Sequence, residues 1–475
     1  MRIAVVGGGI AGVAAAQALK AARPDVQVDL YEGSTQLGGK LLLGSVAGVS
    51  VDLGAESILN LRPEAVDLAF AAGLGDFIVH PEPMSAAIWT RGALRPMPPT
   101  VMGIPSDMDR LEKSGIMPDW AAFARFLGDS AAVAPQAHRD RTEEGDISVA
   151  DFVRSRLGPD AGQEIVDRLI EPLLGGVYAG HSDELSLRSS APQIAALGDD
   201  LIASATQQAI AQSPSGAGRA PVFAGIVGGV GRLPTTVAES SGAIVHLNSA
   251  VREIERTESG WRLVVGPTVA AEHVEVDAVI VATPGPATAR LIATAAPRAA
   301  YEIGGIDYAS TAIITLALPT TGFAQPLVGS GFLVPPVDGK AVKAATFSTN
   351  KWGWLADAAG PDLTLVRCSI GRAGEATLLH RDDPELVAAA LDDLREAVGP
   401  TGEPIDAHVQ RWGGALPQYN VGHRARVDAA TADLATVPGL ELCGAAYAGV
   451  GIPAVIANAQ GAADRLIAGL GTIGI

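Results

Sequence analysis

Gly7-Gly8-Gly9-Ile10-Ala11-Gly12 stands directly after the apolar run Arg2-Ile3-Ala4-Val5-Val6 and before an alanine-rich stretch, Val13 to Ala21. Glycines at this spacing suit phosphate binding. Gly7 makes the tight turn, Gly9 lets backbone approach a pyrophosphate, and Gly12 lets the next helix pack on the strand. The helix N-terminus adds free N–H groups and a partial positive charge. A second apolar run, Val26 to Tyr31, ends in Glu32, at the distance where a carboxylate binds ribose hydroxyls. Strand, helix and acid together define a dinucleotide site. They do not separate NAD from FAD.

A second glycine loop makes that choice. In Gly444-Ala445-Ala446-Tyr447-Ala448-Gly449-Val450-Gly451-Ile452-Pro453 side chains are removed where a planar ring could lie on backbone. Pro453 suits the first position of a helix, whose N-terminus would point at whatever lies above the loop. A reduced isoalloxazine carries negative charge around N1, and a helix dipole stabilises such an anion by about 0.3–1 kcal/mol at exposed sites and about 2 when partly buried. Alone, this loop also suits an ordinary strand–turn–helix unit. Two more segments agree with FAD: Gly38-Gly39-Lys40, where Lys40 is available to a phosphate or flavin carbonyl, and Gly54-Ala55-Glu56-Ser57, which can line a flavin edge. Glu56 is not read as a general base, because a lone loop carboxylate more often caps. No Ser/His/Asp order, metal-ligand spacing or carboxylate pair stands out, which fits a cofactor that carries the redox chemistry itself. No catalytic side chain is assigned.

The elements that must hold these loops are legible in outline. The 475 residues exceed one ordinary core, so two or three domains are expected. Residues 118–210 read as mostly helical, with Trp120, Phe123, Phe126 and Leu127 at core spacing. Ser148 and Asp151 read as a capping box, and Asp383-Pro384-Glu385 as a helix start with a proline at the first position. Residues 212–219 read as the clearest loop. Strands are expected at 243–247, 251–254, 261–265, 278–282, 311–318, 363–370 and 440–443. The fold class is α/β: a discontinuous Rossmann-like domain with an inserted mixed-sheet substrate domain and a helical domain. The expected boundaries are 1–78, 221–292 and 408–475 for the dinucleotide domain, 79–105 and 293–407 for the substrate domain, and 106–220 for the helical one.

A net charge of −18 argues against a general nucleic-acid role. Two cysteines, Cys368 and Cys443, fit a reducing compartment without a disulfide framework. No apolar run reaches the roughly 20 residues a membrane helix needs, and the first strand starts too early for a signal peptide. A soluble cytoplasmic protein is expected.

Longer segments are more specific. Glu171-Pro172-Leu173-Leu174-Gly175-Gly176-Val177-Tyr178-Ala179-Gly180, Leu185-Ser186-Leu187-Arg188, Gly229-Val230-Gly231-Arg232-Leu233-Pro234, Arg411-Trp412, Leu416-Pro417-Gln418-Tyr419 and Gly422-His423 resemble the FAD-dependent protoporphyrinogen/coproporphyrinogen oxidases of haem biosynthesis over nearly the whole chain. Pro98-Pro99-Thr100-Val101-Met102-Gly103-Ile104-Pro105 is similar to the soluble Gram-positive branch, associated with coproporphyrinogen III. The resemblance implies FAD contacts at Gly7, Gly8, Gly9, Ile10, Ala11, Gly12, Glu32, Gly33, Gly39, Lys40, Gly54, Ala55, Glu56 and Ser57. It further implies Val251 at the adenine and Trp412, Val450, Gly451 and Ile452 near the isoalloxazine. Gly176 matches a carbonyl that accepts pyrrole N–H bonds, and Tyr178 an aromatic against the macrocycle. The implied chemistry is three successive two-electron oxidations, with hydride passed to the flavin, a pyrrole proton lost, and O2 reoxidising the flavin to give H2O2. A downstream ferrochelatase would be a transient partner.

Four propionates on such a substrate call for cations, with Arg95, Lys343, Lys351 and Arg372 as candidates from strand and loop regions; sequence does not place them in the pocket, and a solvated surface charge is the favoured reading of any one. The chain departs from the pattern at Ala454-Val455, where relatives often carry Asp-Cys. Protoporphyrinogen IX oxidation, a flavin amine oxidase or carotenoid desaturase, and a non-catalytic tetrapyrrole or flavin carrier stay open beside the coproporphyrinogen reading.

Overall fold

The computed structural model describes residues 1–82, 85–132, 145–211 and 221–472; the expected loop at 212–219 lies outside them. Arg2–Val6 is the central strand of a five-stranded parallel sheet, in the order 244–246, 27–31, 2–6, 278–281, 440–442. Its continuous apolar run is explained by burial on both faces. Ala4, Val6, Val279 and Val281 face one core; Ile3, Val5, Ala278 and Ile280 face another. On the second of these faces helix Ile10–Ala22 packs against helix Ile452–Thr472. The small residues Ala11, Ala14, Ala15, Ala459, Ala462 and Ala463 allow that close approach. The two ends of the chain thus share one unit, as the paired glycine loops require.

A mixed seven-stranded sheet forms the second unit, in the order 406–417, 308–319, 363–370, 342–347, 331–333, 86–90, 93–96. Strand Asp406–Pro417 pairs with Tyr308–Pro319 along its length, so it crosses the expected boundary at residue 408. Three of these strands, at 331–333, 342–347 and 406–417, were not expected as strands: the first is only three residues long, the second lacks clean alternation, and the third contains Gly413-Gly414. One face of the sheet, with Ala312, Ile314, Cys368, Ala345 and Phe332, buries the helix Asp383–Val398. That helix is capped by Asp382, with Glu385 closing the box, one residue before the expected cap. Pro384 is therefore its second residue.

Helices between 108 and 211 make the third unit around Leu111, Phe123, Phe152, Ile165, Leu169 and Leu187. Phe123 is core, with Trp120, Phe126 and Leu127 packed against it. Ser148 Oγ accepts from Asp151 N–H at 3.0 Å, while the Asp151 carboxylate turns to Arg154; the cap is therefore half of the expected box. A π-helical turn, Val166–Ile170, leads into helix Glu171–Val177. Such turns often mark functional segments.

Candidate functional site

The first glycine loop has the geometry its residue types call for. Gly7 takes φ 110°, and a methyl group there would sit 2.9 Å from Ala282 O. At Gly12 it would sit 1.8 Å from Gly7 O, whereas at Gly9 nothing lies within 4 Å. Gly12 is therefore a packing glycine, and Gly9 opens onto free space beside the N-terminus of helix Ile10–Ala22. Glu32 ends its strand and accepts from Gly8 N–H at 2.7 Å and Ser34 N–H at 2.8 Å. The 249–251 segment lies alongside: Ser249 N–H donates to Glu32 O at 2.8 Å, and Ala250 backs Gly33. Val251 opens the next strand there.

A methyl on Gly39 would lie 3.4 Å from Gly9 Cα, so Lys40 arrives beside the loop. Among the described residues the Lys40 ammonium has no ion-pair or hydrogen-bond partner, and burial pushes it below the usual lysine range. An unpaired, desolvated cation beside open backbone calls for an anion. Gly54 follows, where a methyl would meet Lys40 O at 1.9 Å and Trp412 Cζ2 at 3.2 Å. Trp412 Nε1 donates to Leu53 O at 3.2 Å. These features fit FAD: space at Gly9 and a free cation at Lys40 for its phosphates, and the Gly54–Trp412 seam for its ring.

Glu56 is not a capping residue. It lies between Lys351 Nζ at 2.7 Å and Arg367 Nη1 at 2.5 Å. Burial pushes its carboxyl up, but the two cations outweigh that and hold it at about 2. Arg367 also donates to Gly54 O, and Lys351 to Ser57 Oγ at 2.8 Å. One ion cluster therefore fixes the 54–57 loop to the seven-stranded sheet. Lys351 is committed there. Asp52, raised to about 6 by burial, accepts from Gly231 N–H at 2.8 Å and Val230 N–H at 3.0 Å, ahead of helix Arg232–Ser241.

The C-terminal loop is tied down from the helical unit. Helix Ile452–Thr472 starts one residue before Pro453, so the proline is its second residue, and Ile452 joins the core around Ala11. Tyr419 Oη donates to Ala445 O at 2.6 Å and accepts from Gly449 N–H at 2.7 Å. Val450 packs against the helical core, which includes Tyr419 and Tyr178. Gln418 donates to Tyr178 O at 2.8 Å. Tyr178 itself is 6% exposed, its ring 5.6 Å from that of Tyr419 and its hydroxyl 3.4 Å from Ser190 O. Its exposed neighbour is Val177.

The floor between these groups is an in-register row on the sheet: Gln410, Ile313, Ser369, Ala344 and Leu333. All five are partly exposed, whereas their neighbours Ile314, Cys368 and Phe332 are buried on the opposite face. Trp412 lies two residues beyond Gln410. At the other end, a methyl on Gly176 would lie 3.7 Å from Leu333 Cδ2, and one on Gly175 would lie 3.8 Å from Arg372 Nε. The helix carrying both glycines ends as Tyr178 N–H donates to Leu174 O and Ala179 N–H to Gly175 O, with Ala179 left-handed at φ 51°. Gly176 is the next carbonyl along.

The fold links the predicted Gly8, Gly9, Glu32, Gly39, Lys40, Gly54 and Trp412 to one another, and places Gly176 beside Leu333. Of the four candidate cations, Arg372 lies beside Gly175, and Lys343 lies close to Arg372. Arg95 sits instead at the far edge strand, beside Gly115. Sequence reading missed Arg367, Asp52, Gln418 and Tyr419 as holding residues. Arg367 was detectable as the lone charge in Leu363–Ile370.

This arrangement, a Rossmann-like sheet with converging glycine loops above a mixed sheet, defines a flavin-dependent oxidoreductase. The chain belongs to the flavin containing amine oxidoreductase family, whose model matches residues 10–467. It is 36% identical over 468 residues to coproporphyrinogen III oxidase of Mycobacterium tuberculosis, spanning 98% of this chain and 97% of the relative. It is 29% identical to coproporphyrinogen III oxidase of Bacillus subtilis, over 97% of this chain and 96% of the relative. A crystal structure from Exiguobacterium sp. 255-15, which carries the name of a protoporphyrinogen oxidase, superposes with TM-score 0.83 at 30% identity over 98% of each chain.

Proposed function

We propose that this chain oxidises coproporphyrinogen III to coproporphyrin III with O2 as acceptor and H2O2 as product, in haem biosynthesis. What carries the reading is that segments 411–412 and 416–419 hold the 53–54 and 445–449 loops, with Gln418 also holding segment 171–180, in a chain similar end to end to enzymes named for that reaction. FAD bound there supplies the two-electron acceptor. Gly7 through Gly12, with Gly33, Gly39 and Lys40, hold its phosphates and ribityl chain; Glu32 meets its ribose and Val251 its adenine. Gly54, Ala55, Glu56, Ser57, Trp412, Val450, Gly451 and Ile452 surround its ring.

The chain's own work on the substrate is to orient it and exclude water. The carbonyl of Gly176 takes pyrrole N–H bonds. The row from Gln410 to Leu333 supports the macrocycle, with the small Ser369 and Ala344 at its centre. Buried Tyr178 acts by holding the helix end and Tyr419, leaving Val177 at the open face. A cytoplasmic location and hand-over to a ferrochelatase complete the reading.

Protoporphyrinogen IX, in which vinyl groups replace two propionates, is the competing substrate, favoured by the name of the Exiguobacterium structure. Comparing kcat/KM on the two porphyrinogens by porphyrin fluorescence separates them. We expect a preference of at least tenfold for coproporphyrinogen III. A preference for protoporphyrinogen IX overturns the substrate assignment.

A further inference from the structure

Lys343 is 4% exposed, and Arg372 is 5% exposed. Lys343 sits at a β-bulge between Val342 and Ala344. Val334 N–H donates to the Lys343 carbonyl at 2.9 Å, and Lys343 lies close enough to Arg372 and Glu375 to feel both charges. Among the described residues its ammonium has no hydrogen-bond or ion-pair partner. Arg372 follows the neighbouring strand, Leu363–Ile370, and donates Nη2–H to Val334 O at 3.0 Å. Its Nε has no partner and faces Gly175, whose missing side chain leaves the space beside it clear.

The charges around this pair do not neutralise it. Glu375 lies 3.8 Å from Arg372 Nη1 and is half exposed. Glu171 is spent on Ser182, accepting from its N–H at 2.6 Å and its hydroxyl at 2.5 Å, with His181 at 3.6 Å. Burial, then the Arg372 charge, brings the Lys343 ammonium down to about 7, against a smaller upward pull from Glu375. Two buried cations that share only the half-exposed Glu375, with Glu171 held by Ser182, keep an excess of positive charge that costs folding free energy, so the arrangement suits a ligand that supplies a further anion.

We propose that Lys343 and Arg372 form a carboxylate subsite at the end of the groove, taking one propionate of the macrocycle beside Gly175 and Gly176. The inference rests on the porphyrinogen reading. The carboxylate bridges the Lys343 ammonium and the free Arg372 Nε–H, and Lys343 takes up a proton from solvent when it binds near neutral pH. These two residues position the substrate; neither exchanges protons with the reacting carbons.

The test uses full-length holoenzyme carrying Lys343→Met or Lys343→Arg, with binding of coproporphyrin III and of its tetramethyl ester followed by porphyrin fluorescence. Lys343→Met is expected to weaken coproporphyrin III binding at least tenfold, to leave ester binding within about twofold, and to raise Tm. Its folded pKa lies below the ordinary lysine value, so wild type binds fewer protons folded than unfolded above about pH 7. Its buried charge therefore penalises stability below that pH and is relieved as pH rises. The Tm gain should accordingly be larger at pH 6 than at pH 9. Lys343→Arg should keep acid binding within about threefold. Equal losses for acid and ester, or no loss with Lys343→Met, overturn the subsite. Wild type that binds coproporphyrin III no better than the ester contradicts the porphyrinogen reading itself, and the subsite with it.

Discussion

Alanine at Gly9 is expected to abolish stable FAD retention while leaving the apoprotein as stable as wild type. Alanine at Gly12 is expected to damage both. The two glycines are three residues apart in one motif, yet their surroundings are opposite. A methyl at Gly12 would fall 1.8 Å from Gly7 O and 3.3 Å from Ala282 Cβ, so helix Ile10–Ala22 must move off the central strand. Overpacking of that kind costs about 1–3 kcal/mol or more. Gly9 has φ −70° and ψ 175°, which any L residue adopts, and a methyl there meets no protein atom within 4 Å. Fixing that backbone with alanine even favours the folded state slightly. The methyl instead fills space where pyrophosphate must approach. For Gly9→Ala, flavin fluorescence should report at least a hundredfold weaker FAD binding, with an unchanged apoprotein Tm. Gly12→Ala should lower the apoprotein Tm by several degrees. Equal apoprotein Tm values for the two variants would refute this division of labour.

Glu56→Ala should be the most destabilising single change around the flavin ring. It leaves Lys351 and Arg367, 15% and 9% exposed, as buried cations without their shared anion. Breaking a buried pair from one side costs about 3–5 kcal/mol. The 54–57 loop loses its anchor as well, because Arg367 and Lys351 reach Gly54 O and Ser57 Oγ only while the cluster holds. Chemical denaturation at pH 7 should show this deficit, and FAD affinity should fall with it. The carboxyl is held at about 2 against an ordinary 4.5, so its contribution is present above the ordinary value and lost as pH falls towards 2. The gap between variant and wild type should therefore narrow on acidification. A gap independent of pH would contradict the ion-cluster account.

These two sites also mark how far residue patterns reach. The Gly7–Gly12 turn was legible because the spacing of its glycines between one strand and the next helix dictates it, with Gly12 packed directly on Gly7 O. The pairing of chain ends was legible because both loops suit one flat ligand. Glu56 was not, since its partners lie about 300 residues downstream and nothing at Gly54–Ser57 reveals them. The row Gln410, Ile313, Ser369, Ala344, Leu333 was hidden for a related reason. It exists only through cross-strand register among segments whose own alternation is weak, and three of the sheet's strands escaped detection. Tyr178 shows the reverse limit. An aromatic in a matching motif suggested ligand contact, but the chain turn at Ala179 and the neighbouring Tyr419 draw its ring into the helical core.

The central claim, an FAD oxidase of coproporphyrinogen III, is tested most directly by stoichiometry. Holoenzyme mixed with coproporphyrinogen III in air should release three H2O2 for each coproporphyrin III formed, since each two-electron step returns to O2 through the bound FAD. Without air, the yellow flavin should bleach on mixing and recover when O2 is admitted. Porphyrin formation at the uncatalysed rate, with a flavin that stays oxidised under anaerobic substrate, would contradict the account.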